Sequence, residues 1–271
     1  MNKDFLSKII EDKKQEIAAA KQRVPESFLR TKALNFPKRR TFIKNLEHPG
    51  PLGVNIIAEI KRASPSKGDI CPNLDPAYYA SQYEAGGAAA ISVLTDRIHF
   101  KGSPEDLKIA RKTTTLPVLR KDFLISAYQI FESAAMEADA VLLIVRVLDQ
   151  QQLKDYLSLC DELRMDALVE VHSESDIEKA CLAGARLVGI NNRNLQSFET
   201  NIETAIRMKS MLSADQVPVA ASGIRTRNDI EKIKSSGIWN FLIGESLVRA
   251  QSPRNFLESL HGIRFSGNEK T

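Results

Sequence analysis

The chain is short of the residues that would place it in several common classes. Cysteine is scarce, three in 271 residues. Cys71, Cys160 and Cys181 are odd in number and far apart, with no CxxC pair and no metal spacing. They read as reduced thiols used for packing. The four histidines, His48, His99, His172 and His261, form no HExxH or related pattern, so no metal is expected. No apolar run approaches the roughly 20 residues of a membrane span. The N-terminus, Met1-Asn2-Lys3-Asp4-Phe5, has a charged helical pattern rather than that of a signal peptide. Net charge is only +4, with Lys and Arg dispersed. That does not argue for nucleic acid, and it suits a small anionic substrate. The expectation is a soluble cytoplasmic protein with no nucleic-acid or membrane partner.

What is present is enough apolar residue, 43%, for a sizeable core, and a charged fraction of 27% close to the usual quarter. Short aliphatic runs alternate with amphipathic stretches. The runs are Asn55–Ile60, Ala89–Leu94, Pro117–Lys121, Ala140–Val145, Ala167–Val171, Leu187–Asn191, Val217–Ala221 and Asn240–Ile243. Each is nearly continuous, as strands buried on both faces should be. Helical patterns lie between them at Pro76–Ala85, Ala127–Glu137, Gln150–Leu163, Ser175–Leu182 and Asn228–Lys234, several with Ser or Asp before them and Gly after. The repeat fills about 200 residues, the expectation for a (β/α)8 TIM barrel. A doubly wound sheet competes, but the chain lacks the GxGxxG that usually follows its first strand.

The expected organisation is an N-terminal helical extension over residues 1–50, a barrel over 51–265 and a polar tail over 266–271. Within the extension, Phe5–Lys21 is amphipathic, with Phe5, Leu6, Ile9, Ile10 and Ile17 on one side. Thr41–Leu46 suggests a second short helix. The extension either caps the closed end of the barrel or crosses the top and shapes the pocket. The sequence does not choose.

Barrel chemistry sits at the C-terminal ends of the strands. Glu59 and Lys61 stand two apart at the end of the first run, on one face. Buried charges are costly unless paired, so this is either a structural ion pair or a reaction site. The third run ends in Arg120-Lys121-Asp122-Phe123, the fifth carries Glu170, and the sixth ends in Asn191-Asn192-Arg193. The last two end in Ser222-Gly223 and Gly244-Glu245-Ser246. Paired glycines there let backbone N–H groups approach an anion at a helix start, the usual place for a phosphate in such barrels. Carboxylates facing Lys121 would raise its pKa, which favours an acid over an amine nucleophile.

These stretches resemble the indole-3-glycerol-phosphate synthase family of the tryptophan pathway over nearly the whole chain. The most specific piece is Ile57-Ala58-Glu59-Ile60-Lys61-Arg62-Ala63-Ser64-Pro65-Ser66-Lys67-Gly68. It is joined by Ser92-Val93-Leu94-Thr95, Leu119-Arg120-Lys121-Asp122-Phe123, Leu168-Val169-Glu170-Val171-His172 and Gly189-Ile190-Asn191-Asn192-Arg193. Ile9-Ile10-Glu11-Asp12-Lys13-Lys14 is similar to the family's extra helix. Asp69 stands where a more apolar residue is expected.

The resemblance implies a carboxy-lyase without cofactor or metal. It would close the ring of 1-(2-carboxyphenylamino)-1-deoxyribulose 5-phosphate, losing CO2 and then water. It implies Lys121 as general acid, Glu170 as base for dehydration, and Glu59 as a second essential carboxylate. Lys61 would hold the substrate carboxylate and share acid duty, and Asn191 would orient the substrate. Ser64 and Arg193 would lie near the anthranilate carboxylate. Phe123 and Leu142 or Leu143 would line the aromatic pocket. Ser222, Gly223, Gly244 and Glu245 would cradle the phosphate, Glu245 through its backbone. Other tryptophan-pathway enzymes are conceivable partners that nothing in the sequence demonstrates. The competing functions are another phosphate-binding barrel enzyme, an isomerase or Schiff-base aldolase, and a non-catalytic barrel binding protein. The intact charged rim disfavours the last.

Overall fold

A computed structural model describes residues 3–35, 38–194 and 197–263; the tail expected at 266–271 lies outside the described residues. Eight parallel strands close on themselves in sequence order: β1 (Asn55–Ile60), β2 (Ala90–Leu94), β3 (Val118–Lys121), β4 (Ala140–Ile144), β5 (Asp166–Val171), β6 (Leu187–Asn191), β7 (Val217–Ala221) and β8 (Asn240–Ile243). The closing pair is β8 on β1, with Ala58 opposite Ile243. The fold is a (β/α)8 barrel.

Side-chain alternation divides each strand. Ile57, Leu119, Leu142, Leu168, Leu187, Val219 and Leu242 pack together inside the barrel. Their chain neighbours, among them Ala58, Val118, Leu143, Val169 and Phe241, pack against the helices outside.

The described helices are α1 (Lys3–Arg23), α2 (Glu26–Leu34), α3 (Pro76–Ala85), α4 (Pro104–Thr113), α5 (Ala127–Ala135), α6 (Gln150–Glu162), α7 (Glu174–Leu182), α8 (Glu203–Lys209), α9 (Arg227–Lys234), α10 (Glu245–Arg249) and α11 (Pro253–Leu260). Most start where a side chain takes up an orphan N–H. Asp75, Ser103, Ser126, Asp149, Ser173, Thr226 and Ser252 all do this. Several departures from the sequence reading have local causes. The segment expected as a helix at Thr41–Leu46 is one 3-10 turn, Ile43–Asn45. The α2 helix follows Pro25 and was not anticipated, nor was α11 after the last strand, although Ser252 and Pro253 signal its start. β4 ends a residue early because Val145–Val147 winds into a 3-10 turn. No described helix is long and apolar enough to cross a membrane.

The N-terminal segment serves both ends of the barrel. Residues 38–46 close the bottom: the Phe42 and Ile43 N–H groups donate to Asp166 Oδ2 at 2.7 and 2.9 Å, and Leu46 O accepts from Trp239 Nε1 and Asn240 Nδ2 at 3.0 Å. The α1 helix lies at the other end. Its Lys13 ammonium is 2.8 Å from Asp96 Oδ2 and 2.9 Å from Asp122 Oδ1, just past β2 and β3. Burial disfavours that charge, but the two carboxylates outweigh it and push the Lys13 pKa up. Residues 38–46 thus contact the bottom of the barrel, and α1 contacts the loops past β2 and β3 at the other end.

Candidate active site

A cavity of about 720 Å3 opens at the C-terminal ends of the strands. Its floor is the top layer of inward residues. Glu59, Lys121 and Glu170 each stand two residues beyond an inward aliphatic, Ile57, Leu119 and Leu168, and Asn191 stands four beyond Leu187. The strand period therefore aims all four into the lumen. Lys61, one residue past β1, folds back so that its Nζ lies 2.6 Å from Glu59 Oε1. All five line the cavity.

Within the lumen, Lys121 Nζ is 3.6 Å from Glu170 Oε2, and Asn191 Nδ2 donates to Glu170 Oε1 at 3.1 Å. His172 Nε2 approaches that same Oε1 at 3.2 Å but out of line for a hydrogen bond, and its buried ring nitrogens bond to no described side chain. Burial alone would raise the Glu170 carboxyl; the Lys121 charge, His172 and Asn191 outweigh it and hold its pKa far below the usual range. For Lys121, burial opposes the charge, and Glu170 and Glu59 overcome that to raise its pKa. At neutral pH the pair is ammonium and carboxylate, as facing carboxylates require.

At the end of β7, two successive residues take left-handed backbone, Ser222 at φ +69° and Gly223 at φ +77°. For a serine this is a costly conformation that surrounding structure must enforce. A Cβ at Gly223 would fall 2.8 Å from Thr200 Cβ, so only glycine fits. At the end of β8, Gly244 precedes α10, and Glu245 turns its carboxylate to Arg249 on the same helix at 3.3 Å. That leaves the free N–H groups of the first turn, not the acid, to serve an anion. Ser222, Gly223, Gly244 and Glu245 share the same cavity rim.

The remaining wall is apolar. Phe123 and Leu142 line it, and Leu143 packs outside the barrel, which decides between the two leucines. Phe100 sits 6.2 Å from Phe123 between ring centroids. Ser64 lines the cavity from a two-residue hairpin, Ala63–Ser64 with Gly68–Asp69, and the exposed Asp69 pairs with Lys101 at 2.5 Å. Arg193 lines it too, with Nη1 donating to Phe198 O at 2.8 Å.

Some rim residues point elsewhere. Arg120 faces the helices, donating to Ser133 Oγ and pairing with Asp122 and Glu132. Arg62 reaches away to Asp106 and Leu74 O. Sequence reasoning did not assign His172, Phe100, Phe198 or the α1 side chains Phe5, Leu6 and Ile9 to the lining; Arg146, the one polar residue at the end of the fourth run, does line it. His172 was within reach of it, two residues past Glu170 on one strand face. The α1 contribution was visible only as an apolar stripe without a destination. The lining carries seven Lys and Arg side chains against five Asp and Glu, which fits an anionic ligand.

The model of the family described as indole-3-glycerol phosphate synthase matches residues 6–260. The indole-3-glycerol phosphate synthase of Desulfosudis oleivorans is 56% identical, covering 95% of this chain and 98% of its own. That of Syntrophobacter fumaroxidans is 50% identical, covering 96% and 98%. Among solved structures, a thiamine phosphate pyrophosphorylase from Pyrococcus furiosus superposes with a TM-score of 0.61 at 14% identity over 81% of this chain and 96% of that one. A 3-hexulose-6-phosphate synthase gives 0.60 at 13% over 77% and 98%. These two share the fold alone. By family model, by whole-length identity and by the residues gathered at the barrel mouth, the chain belongs to the indole-3-glycerol phosphate synthase family.

Proposed function

We propose a division of labour for ring closure of 1-(2-carboxyphenylamino)-1-deoxyribulose 5-phosphate in this cavity. The phosphate sits against the backbone of Ser222, Gly223, Gly244 and Glu245. The anthranilate end lies against Phe123 and Leu142, its carboxylate within reach of Lys61, Arg193 and Ser64. Two anionic ends fixed by separate donor sets bend an extended molecule so that its reacting carbons meet, and positioning of this kind supplies much of the rate.

The ring carbon bearing the carboxylate then attacks the ketone carbon. The carbonyl electron pair goes to oxygen, and the Lys121 ammonium supplies the proton that makes it a hydroxyl. Loss of CO2 returns its bonding pair to the ring and restores aromaticity. In dehydration the hydroxyl leaves as water with a proton from Lys61 or Lys121. Glu170, ionised and fixed by Asn191, removes the proton from the neighbouring carbon. Glu59 holds Lys61 and adds to the field that keeps Lys121 protonated.

The observation that carries this reading is the Lys121–Glu170 pair, an acid and a base on β3 and β5 that meet in one lumen. A lysine kept protonated by two carboxylates is poorly suited to Schiff-base formation, which disfavours the aldolase alternative. The proposal includes a cytoplasmic location and a phosphorylated small molecule as the partner of the site. The test follows indole fluorescence after adding the substrate to purified protein. Fluorescence growth supports the assignment. A folded, phosphate-binding protein that gives none would overturn it.

A further inference from the structure

The buried charge cluster beside the cavity has a feature that stability does not explain. Lys13 is 2% exposed and lies outside the cavity lining. Its Nζ meets Asp96 Oδ2, Asp122 Oδ1 and Glu16 Oε2 at 2.7 to 2.9 Å. Replacing a buried ion cluster with packed apolar residues is often neutral or stabilising, so a mere anchor for α1 needs no such group.

The two aspartates do more than meet Lys13. Asp96 Oδ1 accepts the N–H groups of His99 and Phe100 at 2.7 and 3.1 Å. Asp122 Oδ1, the atom Lys13 touches, accepts the N–H of Phe123 at 2.8 Å. Phe100 and Phe123 are the facing aromatics of the cavity wall. On the same helix as Lys13, Phe5, Leu6 and Ile9 complete that wall, and Phe5 packs edge-on against both His99 and Phe198 at 5.8 and 5.9 Å. One ammonium thus ties three segments that converge on one side of the cavity. Without it the buried Asp96 would lose its ammonium partner, and Asp122 would keep Arg120 alone as a counter-charge.

We propose that Lys13 is a positioning residue for the aromatic end of the substrate: through Asp96 and Asp122 it fixes Phe100 and Phe123, and it seats α1 so that Phe5, Leu6 and Ile9 close the same wall. The inference rests on the function proposed above, and it concerns the anthranilate half of the site alone. The phosphate half, at β7 and β8, makes no contact with this cluster among the interactions described.

The experiment compares wild type, Lys13→Met and the double variant Lys13→Met/Asp96→Asn in the full-length protein. The double variant removes one buried negative charge and keeps an oxygen to accept from His99 and Phe100, so it preserves a fold that the single variant puts at risk. Circular dichroism establishes folding. Turnover of the carboxyphenylamino substrate gives KM and kcat, and inorganic phosphate as a competitive inhibitor reports the other half. The expected result is a KM raised about tenfold or more, kcat changed less than about threefold, and a phosphate inhibition constant within about twofold of wild type. A wild-type KM in the folded double variant overturns the proposal, as does a phosphate constant that rises in step with KM. Absence of turnover in the wild type would instead count against the synthase chemistry.

Discussion

A methyl group at Gly244 would collide with Glu59. A Cβ built at position 244 lies 3.0 Å from Glu59 Cδ, 3.1 Å from its Cβ, and closer still to its Oε1. The two residues meet because β8 hydrogen-bonds to β1 where the barrel closes. Gly244 therefore has a second use besides admitting an anion to the backbone: it leaves room for the carboxylate that holds Lys61.

Gly244→Ala should displace Glu59 and with it the Lys61 ammonium. The expected outcome is a loss of about tenfold or more in kcat/KM, since small displacements of catalytic groups carry large rate penalties. Steady-state kinetics check this, and a crystal structure should show the Glu59 side chain moved. Unaltered kinetics would mean that the carboxylate position is not critical.

Lys121→Met should lower kcat by about 100-fold to 10,000-fold, the range typical of a lost general acid or base. The indole fluorescence assay measures it. A loss below about tenfold would transfer the first protonation to Lys61.

Glu170→Gln should stall the second half of the reaction. Ring closure and decarboxylation need no base at that position, so a species that has lost CO2 but not water is expected. Mass spectrometry of quenched single turnovers should detect it. Unchanged dehydration in this variant would remove Glu170 from the role of base.

Asp122 should make acid stability visible. Burial raises its carboxyl; the Arg120 and Lys13 charges and hydrogen bonds from Thr95 and Lys13 outweigh that, taking its pKa from an ordinary 3.8 to about 2. The folded value lies below the unfolded one, so this stabilisation is complete above about pH 4 and is lost as pH falls through about 2. It amounts to roughly 2 kcal/mol. Asp122→Asn should cost about that much at neutral pH and flatten the acid dependence between about pH 4 and 2. Urea unfolding as a function of pH measures both, and an unchanged acid slope would assign the dependence to other carboxylates.

Much of this site was legible in the chain because it follows strand alternation. Once Asn55–Ile60 is a strand with Ile57 inward, Glu59 must be inward too, and the same logic fixes Lys121 from Leu119 and Glu170 from Leu168. The eight-fold repetition of aliphatic runs settled the barrel, and a barrel puts its strand ends on one rim. Where charges departed from that logic, burial partners decided. Arg120 was on the rim in sequence, yet it turns outward, since it alternates with Leu119 and finds Glu132 and Ser133 on α5 and Asp122 just past its own strand.

By itself, then, the sequence determined the fold, the inward set Glu59, Lys121, Glu170 and Asn191, and the glycine-marked strand ends, all of which depend on local periodicity and residue type. Tertiary structure alone decided which end of the barrel each part of the first 50 residues covers. It also decided that Lys13 finds Asp96 and Asp122, and that Gly244 makes space for Glu59. Those facts depend on contacts between residues remote in the chain, set by closure of the barrel, and no local pattern encodes a distance across it.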